Sequence, residues 1–77
     1  MGKYVPSAAT VSTVNEIFTY HSPKGDQPER YVAIREKAKE LALLMVENCP
    51  ESRELLNAIN HLQLATMLAN ASIACNE

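Results

Sequence analysis

Residues 55–76, LLNAINHLQLATMLANASIACN, contain no Lys, Arg, Asp or Glu across 22 positions, and their apolar residues recur at steps of three and four. Leu55, Ile59, Leu62, Thr66, Ala69 and Ile73 form one stripe of a long helix. A solvated helix of this length carries charge on its outer face, so most of the circumference is expected to avoid water. Asn57, Asn60, His61, Gln63, Asn70 and Asn76 are too many polar side chains for a membrane span. Burial against other copies of the chain is the remaining way to cover the stretch, and small residues such as Ala65, Ala69, Ala71, Ser72 and Ala74 allow close helix approach.

Upstream, Tyr31, Ile34, Ala38, Leu41 and Met45 repeat the same alternation over 27–48. Asp26 and Glu29 stand at capping-box spacing, with Pro28 in the first turn. Cys49-Pro50 ends this helix, and Pro50 suits the first position of the next, which predicts an antiparallel hairpin of 27–48 and 50–76. Thr13 and Glu16 share the capping spacing, and Val14, Ile17 and Phe18 fall on one face before Ser22-Pro23, which predicts a short helix over 13–21. Residues 1–12 read as an extended arm. The expected fold is all-α, one domain over 1–77, a short N-terminal helix followed by a long helical hairpin, assembled as a homo-oligomer.

Composition narrows the function. With 77 residues, 47% of them hydrophobic, the chain is too apolar for a disordered segment and too short for two cores. A formal charge of −2 gives no positive field for DNA or for an anionic membrane. Two cysteines, Cys49 and Cys75, are too few for a secreted disulfide scaffold, and helical rise places them about 39 Å apart, too far to be bridged within one chain. The N-terminus carries no apolar signal run, so a cytosolic protein is expected. No His/Cys cluster has metal spacing, and no nucleophile, base and orienting group stand in recognisable arrangement; neither a metal, a cofactor nor an enzymatic activity is expected.

The chemically informative segment is 18–39. Five of the seven basic residues, Lys24, Arg30, Arg35, Lys37 and Lys39, lie there beside Phe18, Tyr20, His21 and Tyr31. Aromatic faces stack on bases and cations neutralise phosphate, a combination suited to a small nucleotide. Glu29, Glu36 and Glu40 interleave with the cations, so a plain solvated helix face explains the same residues.

Four short blocks then add a resemblance: Phe18-Thr-Tyr20-His21-x-Pro23, Arg30-Tyr31-x-x-Ile34-Arg35-x-x-Ala38, Glu47-Asn48-Cys49-Pro50-x-Ser52-Arg53-Glu54, and Ala69-Asn70-Ala71-Ser72-Ile73-Ala74. In order and spacing they resemble the phage anti-CBASS proteins of the cyclic-oligonucleotide sponge family, anti-CBASS type 2. The resemblance implies a non-enzymatic homohexamer in the cytoplasm of the infected bacterium. It would sequester cyclic dinucleotides, and cyclic trinucleotides at a separate site, of the cyclic GMP-AMP and cyclic tri-adenylate types. Carried onto this chain, it makes Tyr20 the base stacker, Arg35 the phosphate contact, His21 and Lys24 their neighbours, and Asn70 and Ser72 the edge of a second site. An anti-Thoeris sponge for a cyclic ADP-ribose signal and a purely structural or protein-binding helical module are the alternatives.

Overall fold

The computed structural model describes residues 2–77, which form three helices: α1 (Ala8–Ile17), α2 (Gln27–Asn48) and α3 (Arg53–Asn76). The fold is all-α, and among the described residues there is no strand. At 1.5 Å per residue, α2 and α3 are about 33 and 36 Å long. They run antiparallel, so that Glu77 at the end of α3 reaches Lys24, Gln27 and Arg30 around the start of α2.

The short helix begins at Ala8, inside the stretch expected to be an extended arm, and stops at Ile17 instead of 21. Ser7 is its N-cap: the backbone there is extended, and Ser7 Oγ accepts from the Thr10 amide at 3.1 Å. Thr13, the expected cap, lies mid-helix and donates its hydroxyl back to the Ala9 carbonyl at 3.0 Å. Two serine/threonine caps compete for this segment, and the upstream one adds Ala8 and Ala9, both strong helix formers.

The other two starts also differ in detail from expectation. Asp26 makes no side-chain cap; its carboxylate pairs instead with Arg30, one turn on, at 3.1 Å. Gly25, at φ +53°, supplies the left-handed turn that leads into Asp26, a conformation that favours glycine. Helix α3 starts three residues after Pro50, because Ser52 Oγ accepts from the Leu55 amide at 3.1 Å and sets the first turn. Pro50 and Glu51 belong to the connection, and Cys49 before them is extended, as a residue preceding proline should be.

The α2–α3 seam joins Tyr31, Ile34, Ala38, Ala42 and Met45 to Leu55, Ile59, Leu62, Thr66, Ala69 and Ile73. Ala42 takes the place expected for Leu41, which is exposed; the steps remain three or four but no longer alternate strictly, and a methyl group lets the helices come closer. Ala69 and Ala74 are half-buried, whereas Ala65, Ala71 and Ser72 are exposed.

The protomer encloses very little. Leu55, at 8% exposure, is the one buried apolar side chain among the described residues, while Leu43, Leu44, Leu56, Leu64, Met67 and Leu68 all face outward. Its radius of gyration is 17.0 Å, against about 11.5 Å for a compact chain of this length. Its accessible surface is 6490 Å², about 1,800 Å² more than an 8.5 kDa monomer usually shows.

Candidate functional site

Steps of four residues on α2 and of three and four on α3 bring two polar rows to the mouth of a groove along the seam. Arg35 and Lys39 come from α2, and Gln63, Thr66 and Asn70 from α3. Ala38, Ala42, Ile59 and Leu62 lie between them, where small side chains on α2 leave space. The groove has a volume of roughly 430 Å³, within the range of small-molecule sites.

Its polar groups have spare hydrogen-bonding capacity. Asn70 Oδ1 is buried and has no hydrogen-bond donor. Thr66 is satisfied locally, its hydroxyl donating to the Leu62 carbonyl at 2.9 Å. Among the described residues, neither Arg35 nor Lys39 forms an ion pair, whereas Lys37 is paired with Glu40 at 3.1 Å. Two free cations over an apolar floor, facing two amides, can neutralise phosphate and meet the polar edge of a base.

The other residues singled out by sequence lie elsewhere. Tyr20 projects from the α1–α2 connection and is 82% exposed. His21 donates from Nε2 to the Glu16 carbonyl at 2.9 Å, which ties the connection back to α1. Lys24 Nζ donates to the Glu77 main-chain oxygen at 3.1 Å. Arg35 stands about 12 Å along the axis from the start of α2. The structure therefore brings Arg35 together with Asn70 in one protomer and leaves Tyr20, His21 and Lys24 in a separate group. Ser72 is exposed and does not line the groove; its carbonyl accepts from Asn76 Nδ2 at 2.9 Å.

Neither Lys39, named only among the clustered cations, nor Gln63 was expected as a site residue, yet both line the groove. Their signal was positional, since Lys39 lies one helical turn from Arg35 and Gln63 two turns from Asn70.

Comparison with known protein families identifies one whose description is Acb2/Tad1, hairpin domain, and it matches residues 11–74. The chain belongs to this family. The match takes in most of α1, all of α2 and nearly all of α3, so the groove and the Tyr20–Lys24 connection both fall inside it, and Glu77 falls outside. Acb2/Tad1 proteins are sponges that take up cyclic-nucleotide signals. No similar curated protein and no similar solved structure was found.

Among the described residues no group of three His, Cys, Asp or Glu side chains is placed to hold a metal ion, and no helix is long and apolar enough to cross a membrane. Cys49 is exposed at the α2–α3 turn and Cys75 half-buried; both are free thiols.

At the far end of the hairpin, Glu77 is clasped by three side chains. Arg30 donates to both its carboxylate oxygens, to Oε2 at 2.7 Å, and Gln27 Nε2 donates to Oε1 at 3.1 Å. These hydrogen bonds, from Arg30 first and Gln27 second, lower the Glu77 pKa to about 2, while partial desolvation opposes them. The same contact raises the pKa of Arg30. Because the folded-state value lies below the ordinary 4.5, the clasp's contribution to stability is fully present above about pH 4.5 and is lost as pH falls towards 2. The Gln27 side-chain amide resonances should therefore hold constant from pH 7 to 5 and move between pH 4 and 2. A transition centred near pH 4.5 would show an ordinary, unclasped carboxylate.

Proposed function

We propose that this protein is a cyclic-oligonucleotide sponge that binds cyclic dinucleotides without changing them, and so keeps a bacterial CBASS effector from being switched on. The observation that carries the reading is the pair of unpartnered cations, Arg35 and Lys39, above an apolar groove in a chain of the Acb2/Tad1 family. On this reading Arg35 meets phosphate. Tyr20, exposed and remote from its own groove, stacks on a base from a neighbouring protomer, with His21 and Lys24 beside it. Asn70, which also lines the Arg35 groove, and the exposed Ser72 outside it mark the edge of an adjoining site for cyclic trinucleotides.

The assembly that joins these parts is a homohexamer. Its support is the accessible surface, about 1,800 Å² beyond that of a compact monomer. A standard protein contact covers about 800 Å² on each partner. The excess is thus enough for two such contacts per protomer, so each chain can pair with more than one neighbour. The charge-free length of α3, with exposed Leu56, Leu64 and Leu68, supplies much of the apolar surface for them, while Met67 borders the groove. The protein would act in the host cytoplasm, needing no cofactor and no DNA.

The Tad1 half of the family description favours a second ligand class, a cyclic ADP-ribose signal. Titrating the purified protein with cyclic dinucleotides, cyclic trinucleotides and cyclic ADP-ribose separates the readings. The sponge reading expects saturable binding of a cyclic dinucleotide. Binding of cyclic ADP-ribose alone would move the protein to the anti-Thoeris class, and binding of none would leave a helical interaction module.

A further inference from the structure

The clasp on Glu77 has the chemistry of a ligand site. Arg30 presents two N–H groups to two oxygens of one anion, a fork that fits a phosphate as well as it fits a carboxylate. Gln27 is only 3% exposed and holds its amide on the same anion, and the Lys24 ammonium closes the other side on the Glu77 main-chain oxygen. Gln27 is itself fixed: its Oε1 accepts from the Lys24 amide at 3.0 Å, and Tyr31 Oη lies 3.5 Å away. Arg30 Nε is buried without an acceptor, so the carboxylate leaves one donor of the guanidinium unused. A tetrahedral anion brings more oxygens than a carboxylate does.

We propose that Lys24, Gln27 and Arg30 form a binding site for one phosphate group, and that Glu77 fills it as a displaceable internal carboxylate. The charge balance supports exchange. With Glu77 in place, Arg30 faces two side-chain carboxylates, those of Glu77 and Asp26, and Lys24 meets the Glu77 main-chain oxygen. With Glu77 swung out, Arg30 keeps Asp26 as its one carboxylate partner and Lys24 Nζ loses its acceptor, so an incoming anion restores the lost contacts. Glu77 follows the last helical residue of α3, Asn76, and its side chain is 41% exposed, so it can leave without disturbing the seam. The site lies outside the groove, and its occupant lies outside the family match. The inference stands independently of the sponge reading.

The test uses the full chain with Glu77→Gln, which removes the competing charge and keeps the side chain's size. Inorganic phosphate is titrated into wild type and variant, with the Gln27 side-chain amide followed by nuclear magnetic resonance and helicity checked by circular dichroism. A tethered group competes at roughly millimolar effective concentration, so phosphate should bind the variant about tenfold more tightly or better. Arg30→Ala in the Glu77→Gln background should abolish that gain. A second arm uses a cyclic dinucleotide: a parallel gain assigns the site to a messenger's phosphodiester, and a gain with phosphate alone assigns it to free phosphate. Equal phosphate affinity in wild type and Glu77→Gln, or a gain that survives Arg30→Ala, overturns the proposal. Failure of the sponge reading looks different: wild type would bind no cyclic dinucleotide whatever Glu77 does to phosphate.

Discussion

Leu68→Glu is expected to dissociate the protein. Leu68 is 62% exposed on the protomer, on a helix with no charged residue between Glu54 and Glu77, next to exposed Met67 and one turn from exposed Leu64. If this face is covered in the assembly, the substitution forfeits about 1.5–3 kcal/mol of leucine burial and adds the several kcal/mol cost of an unpaired carboxylate at a close contact. In a symmetric assembly that loss recurs at every equivalent contact. Light scattering at micromolar concentration should show the wild type as a multimer, most simply a hexamer, and the variant at or near 8.5 kDa. The variant should also melt earlier, because a protomer with one buried apolar side chain among the described residues has little core of its own. A control, Glu47→Lys on the solvated end of α2, should leave assembly intact. A wild-type chain that is a stable folded monomer would remove the reason for the uncharged helix.

The second large effect is on ligand binding. If two protomers clamp one pseudo-symmetric dinucleotide, each contributes a Tyr20 and an Arg35, and one substitution removes two contacts from each site. Tyr20→Ala should then lose stacking on two bases, about 2–6 kcal/mol in total, which is a rise in Kd of roughly 25-fold or more. Tyr20→Phe should keep most of the affinity, since the ring does the stacking. Arg35→Ala should weaken binding and flatten its dependence on salt, because fewer phosphate charges are then met by the protein. Both variants should remain assembled, as neither residue lies on the charge-free helix. Wild-type affinity in both assembled variants would relocate the site.

The hairpin was legible because its signals are local and redundant. Proline at position 50, a period of three and four on either side, and a run without charge all point to two long helices packed on one seam. The details lost were those in which two local rules compete. Ser7 and Thr13 are both competent caps, and only the observed helix shows that Ser7 takes the role. Leu41 and Ala42 both stand three or four residues from Ala38 and Met45, and the choice rests on how closely the helices approach.

The candidate site was half legible. Arg35 and Asn70 each carried a sequence signal, but that they share a groove is a matter of how α2 and α3 align, which hydrophobic periodicity does not specify. The Glu77 clasp was invisible for a related reason. Its partners are 47 to 53 positions away in sequence, and Gln27 and Arg30 look like ordinary first-turn residues until the hairpin closes. Tyr20 remains the opposite case, a residue with a sequence signal whose partner in this account belongs to another copy of the chain.

Sequestration without turnover is measured most directly by calorimetric titration of the assembled wild-type protein with a cyclic dinucleotide, followed by heat denaturation and chromatography of the released ligand. Binding should be saturable and stoichiometric, with the cyclic compound recovered whole and in the amount bound. Absence of binding across a panel of cyclic dinucleotides, or release of a linear product in proportion to protein concentration, would contradict it.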